Sequence, residues 1–333
     1  MIMSIIRTIK EKFYGKFLHC YVICRKPIVF FVYWEDLYSY LNDFVNRLEA
    51  ESVVEVICQL GWHYETEERG ERLEREYLEV MSRLPRLKIR FVTNSPEEEA
   101  ILRRHGMTAD FCHQNAFLDE KRLPLYCPDK REFDAIYLAR ITPFKRQELA
   151  AKVPRLHLVS ACVHLAERAY ADQIHALMPN ASYGSKVSYR NVSKEMSRAA
   201  VGLCLSAEEG AMFVSAEYLL SGLPIVSTKN LGGREWVMPK EYWRRAEDNP
   251  DSVAAAVEEL KNLHADPVDV RAKTLEMFRP HREKMCAILK GIFDSYGLDG
   301  ARLSAFDKWF THKLGLRCTL LPWKQVSQGL LKG

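Results

Sequence analysis

The chain lacks the features that mark several common classes of protein. No apolar run reaches the roughly 18 residues that a helix needs to cross a bilayer. The nine cysteines form no CxxC pair, which predicts reduced thiols in a cytoplasmic protein rather than a disulfide framework. Neither a Walker loop nor a GxGxxG sequence is present, and this argues against a nucleotide hydrolase or a dehydrogenase.

The length of the chain bounds the number of domains, and its charge distribution bears on the kind of partner. The 333 residues are enough for two domains of ordinary size. The net charge of +4 hides an asymmetry, because residues 1–26 and 302–333 each carry +5 while residues 27–301 carry −6. Basic ends do not indicate a nucleic-acid-binding domain, which would carry its basic residues on one face. They fit peripheral contact with an anionic membrane, or they are simply solvated termini.

The first segment, residues 1–26, is predicted to be a basic amphipathic helix. Within residues 2–18, isoleucine and phenylalanine recur at helical spacing, with lysine and arginine between them. The charges interrupt the apolar stretch and no small-residue cleavage site follows, so the segment does not fit the pattern of a signal peptide. Such a helix could lie in a membrane interface or pack on the protein body as an ordinary helix.

The remainder of the chain alternates apolar strands with helices, which predicts an α/β fold with parallel sheets. Residues 120–132 contain two prolines and several charges, as interdomain linkers often do. We therefore expect two domains, residues 27–125 and residues 126–295. Residues 296–333 form a final basic and aromatic segment.

Residues 206–235 contain the most informative pattern of the chain. A loop with an acidic pair leads into an apolar helix with a second carboxylate inside it. Gly222 ends that helix, a short strand follows, and a Gly-Gly pair opens the next loop. Glu209 and Glu217 are eight residues apart, so one would lie at the mouth of the strand-to-helix turn and the other inside the helix. Both carboxylates could then face one ligand, although a plain strand–helix–strand unit would need no ligand.

A pair of cations follows the predicted strand at residues 133–138. Arg140 and Lys145 would meet a ligand bound outside the carboxyl ends of parallel strands. Two cations suit a diphosphate, whose charge must be neutralised when it departs as a leaving group. Most such pairs are solvated surface, and the pattern in residues 206–235 is what favours a functional interpretation.

Together these parts resemble the donor-binding signature of retaining GT-B glycosyltransferases of the glycogen-synthase-like and mannosyltransferase-like class. That signature has two glutamates separated by seven residues, a small-Gly-x-Pro strand and a Gly-Gly pair. The resemblance implies two Rossmann-like domains facing a cleft, with a reduced N-terminal domain in this chain. It also implies a retaining hexosyl- or pentosyltransferase that needs neither metal nor cofactor, and no Asp-x-Asp motif is present.

The resemblance also implies a role for individual residues. Arg140 and Lys145 correspond to the diphosphate clamp, Glu209 to a contact with the donor sugar, and Glu217 to a contact with the ribose. Tyr189 lies where relatives hold the nucleotide base. Between the glutamates lies the run Gly210, Ala211, Met212 and Phe213, whose first two residues are small. Small residues there would let backbone N–H groups and the helix N-terminus approach phosphate.

The acceptor side is predicted on the first domain. His63 follows the second predicted strand, and Trp34 and Asp36 follow the first, so all three could line an acceptor site. A lone histidine is more often structural. A glycan or a lipid-linked glycan is the expected acceptor. In this fold the last helices cross back to the first domain, and residues 296–333 are a candidate for that return.

Two other interpretations stay open. The same pocket would serve a GT-B phosphorylase or a nucleotide-sugar hydrolase. A non-catalytic GT-B module that binds a nucleotide sugar or a partner protein would show the same donor signature. Paired carboxylates could also carry out acid/base hydrolysis of a glycoside, but we do not favour this for Glu209 and Glu217, because the helix of Glu217 is expected to bind phosphate.

Overall fold

The computed structural model of the protein describes residues 17–18, 20–25, 27–45, 53–160, 167–185, 187–303 and 321–322. The chain divides into two compact units, a first unit of Met1–Phe117 with His281–Gly333 and a second unit of Leu118–Pro280. The chain passes from one unit to the other at Phe117/Leu118 and at Pro280/His281, whereas the predicted boundaries were at residues 125 and 295. One reason is that the helix Pro267–Ser295 contributes residues to both units.

Strands and helices alternate along the described chain, as the α/β prediction requires. The strands are β1 Phe17–Leu18, β2 Cys20–Arg25, β3 Ile28–Tyr33, β4 Val54–Gln59, β5 Leu87–Thr93, β6 Ala109–Phe111, β7 Phe133–Leu138, β8 Leu156–Val159, β9 Ser182–Gly184, β10 Ala199–Cys204, β11 Ile225–Thr228, β12 Trp243–Ala246 and β13 Leu321–Pro322. The α-helices are α1 Trp34–Ser39, α2 Leu41–Val45, α3 Glu67–Arg83, α4 Pro96–Arg104, α5 Arg168–Leu177, α6 Val192–Met196, α7 Phe213–Leu220, α8 Pro250–Asn262, α9 Pro267–Ser295 and α10 Gly300–Leu303.

The first unit is built on a five-stranded sheet in the order β2-β3-β4-β5-β6. Strands β3 to β6 are parallel, and β2 pairs with β3 in the antiparallel direction. Side chains of β3 alternate between the two faces, as the pleat of a strand requires. Phe30 and Val32 pack in a core with helices α1, α3 and α4. Phe31 packs in the opposite core with Met285 and Leu289 of α9, so both faces of the sheet are covered.

The N-terminal segment corrects one prediction. Residues 20–25 form strand β2 and residues 17–18 form strand β1, so the helix predicted within residues 1–26 does not include them. Local periodicity could not reveal this, because β2 is defined by its pairing with β3. Residues 1–16, which hold most of the predicted helix, lie outside the described residues, as does most of the segment 296–333.

The second unit is built on a six-stranded parallel sheet in the order β12-β11-β10-β7-β8-β9. Counted within this unit, the order is 6-5-4-1-2-3, which is the order of a doubly wound Rossmann sheet. The direction of winding reverses between β7 and β10. Open sheets of this kind bind ligands outside the carboxyl ends of the strands at that reversal.

Among the described helices, none is both long enough and apolar enough to span a bilayer.

Candidate functional site

Lys145 and Glu209 meet at the reversal of the second sheet. Lys145 follows β7 and Glu209 follows β10, and the Lys145 ammonium donates a hydrogen bond to Oε1 of the Glu209 carboxylate. Lys145 is only 7% exposed, and 17% of the Glu209 side chain is accessible. Burial lowers the pKa of Lys145, and the neighbouring Glu209 carboxylate opposes part of that effect. The pair places a cation and an anion where the topology predicts a ligand.

The backbone that carries Lys145 is held from two directions. The Lys145 N–H donates to the Thr142 carbonyl at 3.0 Å, and the buried Tyr137 hydroxyl donates to the Lys145 carbonyl at 2.6 Å. The next residue, Arg146, has a left-handed backbone with φ of 53°, and its Nε donates to the Leu205 carbonyl at 2.6 Å. These contacts join the loop after β7 to the loop after β10 and fix the position of the cation.

Arg140 lies on the same loop and is exposed. Its guanidinium carbon is 5.7 Å from the centre of the Phe144 ring, and Lys145 Nζ is 5.0 Å from the same centre. The two cations therefore converge on one aromatic ring, which the sequence analysis did not single out. The Arg140 carbonyl accepts a hydrogen bond from Gln147 Nε2 at 2.6 Å, so the backbone of this exposed side chain is also fixed.

The loop that carries Glu209 depends on a close approach of two backbones. Glu209 N–H donates to the Leu231 carbonyl at 3.1 Å, and Leu231 N–H donates to the Ala207 carbonyl at 2.8 Å. Gly232 has φ of 120°, and a Cβ atom there would lie 2.1 Å from the Glu209 carbonyl oxygen. A side chain cannot fit at that distance. The first glycine of the Gly-Gly pair thus allows this loop to form.

The run between the two glutamates enters helix α7 in an unusual way. Gly210, Ala211 and Met212 are buried, and Met212 has a left-handed backbone with φ of 50°. The side chain of Met212, the residue before the helix, makes no capping hydrogen bond. The N-terminus of a helix favours an anion, and the contact to phosphate expected there stays a prediction. The Met212 side chain, in contrast, points inward, because its sulfur accepts from Arg234 Nη1 at 3.4 Å.

Glu217 and Tyr189 lie close enough to influence each other. Glu217 is in α7 and is 5% exposed, and Tyr189 begins the 3-10 turn Tyr189–Asn191 and is half-buried. Burial raises the pKa of the Tyr189 phenol, and the Glu217 carboxylate raises it further. The structure thus brings the predicted ribose contact and the predicted base contact into one neighbourhood.

Two further residues, neither of them predicted, complete the site. Ser206 donates from its hydroxyl to Glu209 Oε2 at 2.6 Å. Arg234 is fully buried and donates from Nη1 to the Ser206 hydroxyl at 2.9 Å. The position of Arg234 directly after the Gly-Gly pair was a signal that could have drawn attention to it.

The predicted acceptor residues of the first unit do not form one exposed group. Trp34 is fully buried, its ring centre is 5.2 Å from that of Phe91, and its Nε1 donates to Glu76 Oε2 at 2.7 Å. The structure therefore makes Trp34 a core residue and does not support a contact with an acceptor. His63 is 1% exposed after β4, and Asp36 is half-buried in the first turn of α1.

A buried carboxyl group, also missed, lies at the carboxyl edge of the first sheet. Glu98 accepts hydrogen bonds from the backbone N–H groups of Tyr64 and Asn94, both at 2.8 Å. Its own N–H donates to the Ser95 hydroxyl at 3.1 Å, so Ser95 caps α4. Burial raises the pKa of Glu98 to about 8.

In the described part of the chain, no three His, Cys, Asp or Glu side chains are grouped as a metal site would need.

No protein-family model and no curated protein matches the chain. Solved structures do match it. TarM of S. aureus superposes with a TM-score of 0.56 at 12% identity over 77% of this chain and 53% of TarM. Sucrose-phosphate synthase from Thermosynechococcus elongatus gives 0.55 at 16% identity over 79% and 80%. A UDP-forming α,α-trehalose-phosphate synthase from Burkholderia xenovorans gives 0.51 at 11% identity over 83% and 74%.

These similarities establish the fold. The matched structures are GT-B glycosyltransferases, so the predicted GT-B fold and the resemblance on which it rested are confirmed. The chain spans about half the length of TarM. At identities of 16% or less, the matches describe the architecture and leave the activity to be argued from the site.

Proposed function

We propose that the protein is a glycosyltransferase whose second unit binds a nucleotide-diphosphate sugar and whose acceptor is a glycan or a lipid-linked glycan. The observation that carries this proposal is the Lys145–Glu209 pair at the winding reversal of a Rossmann sheet. A buried cation beside a carboxylate offers one partner for phosphate and one for sugar hydroxyls. UDP is the first nucleotide to test, since one structural neighbour is described as UDP-forming.

In the proposed reaction, the bond between the anomeric carbon and the diphosphate oxygen breaks, and its electron pair leaves with the diphosphate. Lys145 and Arg140 stabilise this developing charge, and the preset position of Lys145 makes that stabilisation effective. An acceptor hydroxyl forms the new bond to the anomeric carbon, and its proton passes to the departing phosphate oxygen. Attack on the face that the diphosphate leaves gives retention of configuration.

The carboxylates orient the donor in this proposal. Glu209 accepts hydrogen bonds from sugar hydroxyls, and a donor diphosphate takes over its place beside Lys145 Nζ. Glu217 accepts from the ribose hydroxyls, and Tyr189, which lies close to Glu217, contacts the base. The helix N-terminus at Phe213 faces the phosphates. The reaction needs no metal ion and no cofactor, and the protein works in the cytoplasm with peripheral membrane contact through its basic ends.

A nucleotide-release assay tests the proposed function. The protein is incubated with UDP-, GDP- and ADP-sugars, with and without a mixture of glycan and lipid-linked acceptors. We expect release of one nucleotide to rise at least tenfold when the right acceptor is added, and NMR of the product to show the donor's anomeric configuration. Equal release with and without every acceptor would indicate a hydrolase instead. Binding without any release would indicate a non-catalytic module.

A further inference from the structure

Arg234 is buried completely, directly after the Gly-Gly pair, in the 3-10 turn Arg234–Val237. An arginine side chain has five N–H donors, and each has an acceptor here. Nε donates to the Ser227 hydroxyl at 3.0 Å, Nη1 to the Ser206 hydroxyl at 2.9 Å and the Met212 sulfur at 3.4 Å, and Nη2 to the carbonyls of Cys204 at 2.8 Å and Thr228 at 3.0 Å.

All of these acceptors are electrically neutral. Within the part of the chain that the structure describes, no carboxylate forms an ion pair with Arg234. Burying a cation costs several kcal/mol even after relaxation, and a buried arginine is usually paired with an acid. Arg234 therefore keeps a positive charge inside the donor domain that the protein itself does not neutralise by direct contact.

The hydrogen-bond polarity connects Arg234 to Glu209. A serine hydroxyl has one proton to donate. Because Arg234 can only donate, Ser206 must accept from it, and the Ser206 proton is then directed to Glu209 Oε2 at 2.6 Å. The other carboxylate oxygen of Glu209 accepts from Lys145. Both oxygens of Glu209 are thus fixed, one by Lys145 and one by the Arg234–Ser206 pair.

The charge of Arg234 also reaches the predicted diphosphate clamp. Burial lowers the pKa of Lys145 most strongly, the Glu209 carboxylate raises it, and the positive charge of Arg234 lowers it to a smaller extent. Arg234 thus adds a small repulsion to Lys145 that the Glu209 carboxylate outweighs, and an anionic ligand near Lys145 would reduce it further. This is a through-space effect, independent of the hydrogen bonds that Arg234 makes.

We propose that Arg234 is a positioning residue of the donor site, which aims the Glu209 carboxylate through Ser206 and adds a fixed positive charge behind the diphosphate. The effect on turnover rests on the proposed function, whereas the effect on the position of Glu209 does not. Arg234 itself touches no donor atom in this account. Its removal should therefore change how Glu209 is held, and through that the rate.

The test compares four single variants, and the double variant of Ser206→Ala with Arg234→Met, with the wild-type protein. Ser206→Ala removes only the hydroxyl between Arg234 and Glu209. Arg234→Met removes both the charge and the five N–H donors of the guanidinium. Arg234→Lys keeps the charge but loses the planar arrangement of the donors. Arg271→Met is the matched control, because Arg271 is half-buried in the second unit and donates to the carbonyls of Leu123 and of Leu220, which lies at the opposite end of α7 from the Glu209 loop. Circular dichroism first establishes which variants fold.

Two readouts separate a positioning role from a merely structural one. Crystal structures of Ser206→Ala and Arg234→Met should show Glu209 displaced from its wild-type position, while Arg271→Met leaves it in place. In folded protein, kcat should fall about tenfold in Ser206→Ala and 10- to 100-fold in Arg234→Met, with partial recovery in Arg234→Lys. Because both residues act on one carboxylate, the double variant should lose much less than the product of the two single losses.

The outcomes distinguish the two proposals. Wild-type protein that releases no nucleotide would contradict the proposed function, while a displaced Glu209 in Ser206→Ala would still support the role of Arg234. An unmoved Glu209 together with unchanged kcat in folded Ser206→Ala would overturn the positioning role. If Arg234→Met fails to fold, the Ser206→Ala and Arg234→Lys results decide the question alone.

Discussion

The two units are both built on parallel strands, but their strand orders differ. In the second unit the winding reverses between β7 and β10, and Lys145 and Glu209 meet there. In the first unit the order β2-β3-β4-β5-β6 follows the chain, and the described strands contain no such reversal. Loops that leave neighbouring strand ends in opposite directions open a crevice. The same alternation of strand and helix thus places a partly accessible ion pair at the strand ends of one sheet and a buried carboxyl group at the strand ends of the other.

The charged residues at the strand ends differ in their access to solvent between the two units. At the reversal of the second sheet, Arg140 is exposed and Glu209 is partly accessible, so a ligand can reach them. At the carboxyl edge of the first sheet, Glu98 is fully buried and accepts from two backbone N–H groups. We infer that the second unit carries the donor chemistry, whereas the polar edge of the first unit serves stability to a larger extent.

The largest effect that tests this contrast is a change in stability. Trp34→Ala removes a fully buried indole that packs on Phe91, and large core truncations of this kind cost about 3–5 kcal/mol. We expect that loss in the first unit, measured by denaturant unfolding. Trp236→Ala is the control for removing an indole, because Trp236 is 45% exposed and its truncation should cost clearly less than that of Trp34. A stable Trp34→Ala protein with a raised acceptor KM would restore the acceptor role.

The next effect concerns the buried cation of the second unit. Lys145→Met keeps the volume but removes the charge that stabilises the departing diphosphate, so kcat/KM should fall about 10²- to 10³-fold. Lys152→Met is the matched control, since Lys152 is an exposed lysine of the same unit that pairs with Asp251. Steady-state kinetics with the preferred nucleotide sugar checks the prediction. Equal kinetics for the two variants would remove Lys145 from the site.

A smaller effect separates two adjacent acids. Glu209→Gln keeps one oxygen acceptor but loses the charge beside Lys145, and we expect kcat to fall about 10- to 100-fold. Glu208→Gln alters an exposed side chain of the same loop and should leave kcat within about twofold. The comparison is made at saturating donor so that kcat and KM are resolved. If Glu208→Gln showed the larger loss of kcat, the donor sugar would be bound by Glu208 and the assignment of Glu209 would be wrong.

The smallest predicted effect is a pH dependence in the first unit. Burial raises the pKa of Glu98 from 4.5 to about 8, so the folded protein holds a proton that the unfolded chain has released. The free energy of unfolding should therefore fall as the pH rises, by about 1 kcal/mol between pH 7 and 8. Burial lowers the pKa of His281 to about 4, and its opposite contribution is complete below this window.

Glu98→Gln is the control for that slope, because the amide does not titrate. Denaturant unfolding of both proteins at pH 7 and pH 8 should show the slope in the wild-type protein and a flatter response in the variant. This difference holds whatever the absolute stability of the variant. An equally steep fall in Glu98→Gln would assign the pH dependence to other groups.

Local patterns predicted the elements that depend on neighbours in sequence. The strand predicted at residues 133–138 is β7. Ser95 caps α4, and a serine directly before a proline is a common start of a helix. The resemblance assigned Lys145 and Glu209 to the same donor, and the structure places the two side chains in contact. The strand and the helix cap need only periodicity and capping chemistry, whereas this contact depends on the fold.

Features that depend on distant contacts could not be predicted. Strand β2 exists through its pairing with β3, and Trp34 is buried by residues up to 57 positions away, including Phe91. Arg234 gains its acceptors from two strand ends and the loop before α7, which no single window of sequence contains. The burial of a charged residue is a property of the assembled core, so its neighbours in sequence do not indicate it.

The central claim is that the second unit binds a nucleoside diphosphate at Lys145, and thermal unfolding with UDP tests it most directly. At 100 times its dissociation constant, a ligand adds about 2.7 kcal/mol to the stability of the folded state. We predict that UDP, or failing that GDP or ADP, stabilises the second unit by this amount and that Lys145→Met loses most of the effect while Lys152→Met retains it. No stabilisation of the wild-type protein by any of these nucleotides, or equal stabilisation of both variants, would contradict the account.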